Sequence, residues 1–92
     1  MAVIVRVPTI LRNYTSGEAE VSVEGATLRD VINNLEVAHV GIGPRILDEN
    51  GKIRRFVNVY VNEEDVRFEQ GLDTPTADGA VISVLAAVAG GF

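Results

Sequence analysis

Short β-branched runs, strict alternations and one helical stripe order the apolar positions of this chain. Val3-Ile4-Val5-Arg6-Val7 is rich in β-branched residues and stops at Pro8, which cannot donate to a ladder inside a sheet, so it predicts a first strand. Residues 13–18 (Asn-Tyr-Thr-Ser-Gly-Glu) are turn formers. Residues 19–24 then alternate apolar with polar and close before Gly25, which predicts a second strand folded back on the first as a hairpin. Thr27 stands ahead of Leu28, Val31, Ile32 and Leu35, the spacing of one helical stripe, and Asp30 supplies a weaker version of the capping box. A single helix is expected over residues 28–39. Gly41, Gly43 and Pro44 end it, because glycine admits left-handed backbone and proline cannot continue the hydrogen-bond pattern. An irregular stretch follows as far as Asn50-Gly51.

Residues 56–61 alternate again, with Phe56, Asn58 and Tyr60 on one side and Val57, Val59 and Val61 on the other, so a third strand is expected there. Residues 62–65 read as a polar turn and Val66-Arg67-Phe68 as a short edge strand. Asp78-Gly79 turns into the last and most apolar strand, residues 80–88. The expected order is ββαβββ. A terminal strand too apolar for an edge places the first and last strands side by side in parallel, with the helix across one face. That is an α+β, β-grasp (ubiquitin-like) architecture: a mixed sheet of about five strands with one main helix packed on it.

Composition narrows the class. With 92 residues the chain has the size of one domain, which excludes a two-domain enzyme. Its 8 basic residues against 13 acids give a net charge of −5, which argues against phosphate-backbone binding and so against a nucleic-acid partner. An acidic surface is compatible with steering toward basic partners. Without cysteine there is no disulfide, thiolate chemistry or thiolate-held metal. The N-terminus lacks the basic start of a secretory signal, and the uncharged run after Asp78 is shorter than a bilayer span, so the expectation is a cytoplasmic protein with no membrane partner.

Little in the chain points to intrinsic catalysis. The one histidine, His39, falls at the expected helix C-terminus, where an imidazolium interacts favourably with the helix dipole, and it is read as structural. Asn62-Glu63-Glu64-Asp65 lacks the spacing and central glycine of a calcium loop and is read as a solvated hairpin. Most glycines fall at expected turns. Gly90-Gly91 does not: it follows the last strand and leads only to Phe92. A tail without side chains can enter a narrow channel and present a carboxylate with no Cβ in the way.

Together with the ββαβββ order, that tail resembles the ubiquitin-like sulfur-carrier family, the MoaD, ThiS and CysO group. The likeness covers the whole chain and is sharpest at Val7-Pro8-Thr9-Ile10-Leu11-Arg12, residues 55–68 and Ala87-Val88-Ala89-Gly90-Gly91, which look most like the CysO branch. It implies a β-grasp domain over residues 1–89 and a flexible tail over 90–92. It also implies a protein cosubstrate, not an enzyme, with no bound cofactor and no metal. An E1-like adenylating enzyme would use ATP on the Gly91 carboxylate, and a sulfurtransferase would convert the adenylate to a thiocarboxylate. The sulfur would pass to an accepting synthase, either a PLP-dependent cysteine synthase or a ThiG-like synthase. Phe92 departs from the simplest pattern, because it leaves Gly91 as an amide; its removal by a JAMM-type metalloprotease is the expectation. Alternation places Ile82 and Val84 toward the helix and Leu85 on the outer face, where the family docks its activating enzyme through an apolar patch. Charged partners for the tail are expected on the enzyme. The alternatives are a ubiquitin-like modifier conjugated to lysines and an unprocessed β-grasp interaction module.

Overall fold

The computed structural model describes residues 2–86, and the elements run in the expected order. Strand β1 spans Ala2–Arg6, β2 Glu20–Glu24, β3 Val57–Val61, β4 Glu64–Asp65 and β5 Val81–Ala86. They form one sheet in the order β2-β1-β5-β3-β4. β1 pairs antiparallel with β2 and parallel with β5, whose other neighbour is the antiparallel β3. The β-grasp arrangement inferred from the pattern is therefore the one found. Ala87 and Val88, expected to end the last strand, lie outside the described residues, as do Gly90, Gly91 and Phe92.

Period-two alternation places Val3 and Val5, Val21 and Val23, Val57, Val59 and Val61, and Ile82 and Val84 on one buried face of the sheet. Helix α1, Leu28–Ala38, covers that face with Leu28, Val31, Ile32 and Leu35. Truncating a fully buried leucine such as Leu35 would cost about 2–5 kcal/mol, because the cavity left behind adds to the lost burial. Thr27 caps the helix as expected: its hydroxyl accepts from the Asp30 amide at 3.3 Å. His39 is the C-cap residue, its amide donating to the Leu35 carbonyl at 2.8 Å.

Gly41 has φ of +104°, which only glycine adopts without strain, and lies two residues past the C-cap. Pro44 does not simply stop the chain here. It sits in the first turn of a second helix, α2 (Gly43–Ile46), where its missing N–H costs nothing. The Glu36 carboxylate ties the two helices, accepting from the amides of Gly41 and, at 2.7 Å, Gly43. Asp48 organises the following turn, accepting from the amides of Asn50 at 2.8 Å and Lys52 at 3.0 Å.

Besides α2, which falls in a stretch expected to be irregular, two segments differ from the sequence reading. Residues 13–18 are not all turn: a 3-10 helix runs over Thr9–Thr15 from the N-cap Pro8, burying Leu11 and Thr15. The Thr15 hydroxyl donates to the Glu18 carbonyl at 2.8 Å and so stands inside without an unmet polar group. The edge strand is Glu64–Asp65, not Val66-Arg67-Phe68, which form a 3-10 turn. Asn62 and Glu63, both at positive φ, make a two-residue hairpin turn that starts the ladder at once, and the Asp65 carboxylate then accepts from the Arg67 amide and curls the chain. Val66 is thereby buried while Phe68 is exposed.

Two outcomes follow for stability. Thr27→Ala should lower the unfolding free energy by about 1 kcal/mol in urea titration, since it removes the acceptor for one of the helix's unpaired amides. The Lys52 amide holds the Asp48 carboxyl below its ordinary range; desolvation, the next largest influence, opposes it, and the Asn50 amide and the charges of Arg54 and Lys52 add to the lowering. A carboxyl lowered on folding stabilises the native state above its unfolded pKa, and that contribution disappears as pH falls through the folded value. Asp48→Asn, which keeps an acceptor but cannot titrate, should therefore flatten the acid limb of stability against pH, read from urea midpoints.

Candidate functional site

The last described residue, Ala86, is the root of the Gly90-Gly91-Phe92 tail; those three residues lie outside the described structure. What fixes the root is the sheet. β5 is paired with β3 all the way to Ala86, which faces Val57, whereas its pairing with β1 reaches only Ser83, opposite Arg6. Pro8 ends the β1 side and leads the chain into the 3-10 helix. The end of β5 is thus held on one side and bordered on the other by a shallow groove of about 440 Å³ along Arg6, Pro8, Thr9 and Arg12.

Leu85 stands where alternation puts it. Val84 is 4% exposed against the core and Leu85 52% exposed on the opposite face, across from Asn58. Its surroundings on that face are half-buried Asn58, Tyr60 and Ser83. A second large apolar group flanks the tail root and was not singled out from the sequence: Phe56, 47% exposed, which lines a groove with Arg55, Val57 and Ala86. The signal was present, because Phe56 shares the side of the third strand assigned to Asn58 and Tyr60. Leu85 and Phe56 therefore offer apolar contact beside Ala86.

Arg67 holds this corner in place. Its guanidinium donates to the Val57 carbonyl at 2.6 Å and to the Arg54 carbonyl at 3.3 Å, and also bonds the Asn58 side chain. The segment entering β3 is thereby fixed next to the end of β5. Among the described residues no three of the His, Asp and Glu side chains gather as a metal site, and no helix is long and apolar enough to cross a membrane. His39, half-buried at the end of α1, lies in none of the grooves at Ala86. Among the described residues, the arrangement presents a strand-held tail root and two exposed apolar side chains.

Comparison with known proteins follows the same lines. Sulfur carrier protein CysO of Mycobacterium tuberculosis is 53% identical over 93 residues, aligning 99% of this chain with 100% of its own length. A chain in the crystal structure of the Amycolatopsis orientalis BexX/CysO complex has a TM-score of 0.90 at 49% identity, covering 97% of this chain and 99% of that one. Small archaeal modifier protein 3 of Haloferax volcanii is 37% identical over 68 residues, 74% of this chain and 73% of its own. Residues 5–91 match the ThiS family, and the chain belongs to that family.

Proposed function

We propose that this protein is a sulfur carrier whose reactive group is the Gly91 carboxylate, exposed once Phe92 is removed. The observation that carries the reading is 53% identity to a sulfur carrier, CysO, across 99% of the chain. An E1-like enzyme activates the carboxylate: its oxygen attacks the α-phosphorus of ATP and pyrophosphate leaves. The acyl-adenylate exchanges a poor leaving group for AMP, so a sulfur nucleophile delivered by a sulfurtransferase attacks the carbonyl and leaves a thiocarboxylate. That sulfur is then the nucleophile toward an acceptor enzyme. A PLP-dependent cysteine synthase, offering an amino-acrylate, fits the CysO likeness; a ThiG-like synthase is the related alternative. A JAMM-type zinc metalloprotease is the proposed agent of tail processing.

The chain's own contribution is presentation. β5 fixes Ala86, and the residues from 87 to 91 carry no charged or large polar side chain that would obstruct a narrow channel. Leu85 provides apolar contact on the outer sheet face, where burial against a partner stabilises the complex. A second reading, conjugation of Gly91 to lysines, draws support from the likeness to a small archaeal modifier protein.

Intact mass spectrometry of protein purified from its native host tests the reading. A species lacking Phe92 with one oxygen of Gly91 replaced by sulfur is expected; sulfur on a chain that retains Phe92 would overturn the trimming step, and isopeptide adducts without thiocarboxylate would favour the modifier. Deleting Gly90 and Gly91 should abolish function, whereas a plain interaction module would tolerate the loss. Leu85→Asp should weaken adenylation about tenfold with the fold unchanged by circular dichroism. Full activation of that variant would remove Leu85 from the docking surface.

A further inference from the structure

Three shallow grooves meet at Ala86, and arginines line all of them. Arg6 and Arg12 border one, Arg45 the second, and Arg54 and Arg55 the third. Of the chain's 13 acids, Asp48 alone lines these grooves, although the net charge is −5. Glu20 also stands at this end, paired with Arg6, while other acidic groups mark the opposite end of the sheet. Glu24 closes β2, Asp78 accepts from the Ala2 amide at 3.0 Å, and Glu63 sits in the turn after β3. The charge of this protein is therefore polarised along the strands, with the positive end at the tail root.

The arginines are also held in place. Arg12 donates through Nε to the Val7 carbonyl at 3.1 Å, Arg45 to the Tyr14 hydroxyl at 2.8 Å and Arg54 to the Pro44 carbonyl at 2.6 Å, while Arg55 lies over the Phe56 ring. One bond at Nε fixes the direction of the guanidinium and leaves its terminal nitrogens to bond elsewhere. Among the described residues the ion pairs are Arg6 with Glu20 and Arg29 with Asp73, so Arg12, Arg45, Arg54 and Arg55 have no carboxylate within pairing distance. A planar fork held in one orientation matches a carboxylate in two-point fashion and loses little rotamer entropy on binding. At physiological ionic strength fields die away over about 8 Å, so at close range these local charges, not the net charge, decide which surface docks.

We infer that the arginines around Ala86 form a docking collar for an acidic protein surface, the rim of the channel that receives the tail. This rests on the carrier reading given above. Gly91 is five residues beyond Ala86, at most roughly 17 Å of extended chain, so the rim lies within that reach of the reacting carboxylate. Charged groups for docking thus belong to the carrier as well as to the enzyme, and the sign they select in a partner is opposite to the one its net charge suggests.

Hexaglutamate peptide is the probe. Titrated into the isotopically labelled full chain, it should shift amides of residues 6–12, 45, 54–55 and 86, with affinity falling steeply as sodium chloride is raised. The double variant Arg12→Gln with Arg54→Gln should bind about tenfold more weakly, while Arg29→Gln, at the far end of the molecule, should bind as the native chain does. Shifts that are absent, salt-insensitive or spread over the whole surface would overturn the collar, and so would an equal loss in Arg29→Gln. Equal or tighter binding of a hexathymidylate would overturn it in favour of a nucleic-acid surface. The native-chain titration stands even if the double variant does not fold. Failure of the carrier reading would show separately, as a Gly91 that never carries sulfur in the native host.

Discussion

Parallel pairing of β1 with β5 is the constraint on which the rest of this structure depends. Parallel neighbours cannot be joined by a tight turn, so the chain between them has to cross over the sheet, and here that crossover carries β2, both helices, β3 and β4. The register Val5 to Ile82 brings two buried positions together in the middle of the sheet, under α1. Strand β5 becomes central, flanked on both sides, and its apolar sequence suits that place. Because the β1 pairing stops at Ser83 while the β3 pairing runs on to Ala86, the same arrangement that builds the core also leaves an open border beside the tail root.

That border is where chemistry and packing meet. The tail contributes the reactive carboxylate in the carrier reading, and everything around it serves recognition: Leu85 and Phe56 as apolar contact, the arginines as charge. Each is fixed by an interaction that has nothing to do with a partner. Leu85 points outward because Val84 points inward, and Arg54 and Arg55 are positioned because Arg67 bonds the carbonyls of the segment that carries them. The site is a by-product of the sheet's register and of one buttressing guanidinium.

Much of this was legible in the sequence, and the exceptions have physical reasons. Alternation in residues 19–24 and 56–61 and the stripe of Leu28, Val31, Ile32 and Leu35 are strong signals, since each side of the element meets a different solvent. The 3-10 helix at Thr9–Thr15 was hidden because its buried residues, Leu11 and Thr15, are four apart with a threonine in the interior, a pattern too short and too polar to stand out. Val66-Arg67-Phe68 has strand-forming residues, yet the Asp65 cap and burial of Val66 override that preference. The exposure of Leu85 could be counted from Val84. The arginines could not be gathered by counting: Arg6, Arg12, Arg45 and the pair Arg54-Arg55 come from four separate stretches of chain that only the fold brings to one end, and the net charge of −5 conceals them.

A central strand that comes last in the chain also sets an order of events during synthesis. As the polypeptide grows, the β1–β2 hairpin with α1 and the β3–β4 hairpin can each form, but the two hairpins do not share one sheet until residues 81–86 have left the ribosome. Insertion of that strand closes the sheet and sets Ala86 in its place opposite Val57 in one event. In the carrier reading, a molecule whose tail root is set for a partner is therefore one whose sheet has already closed.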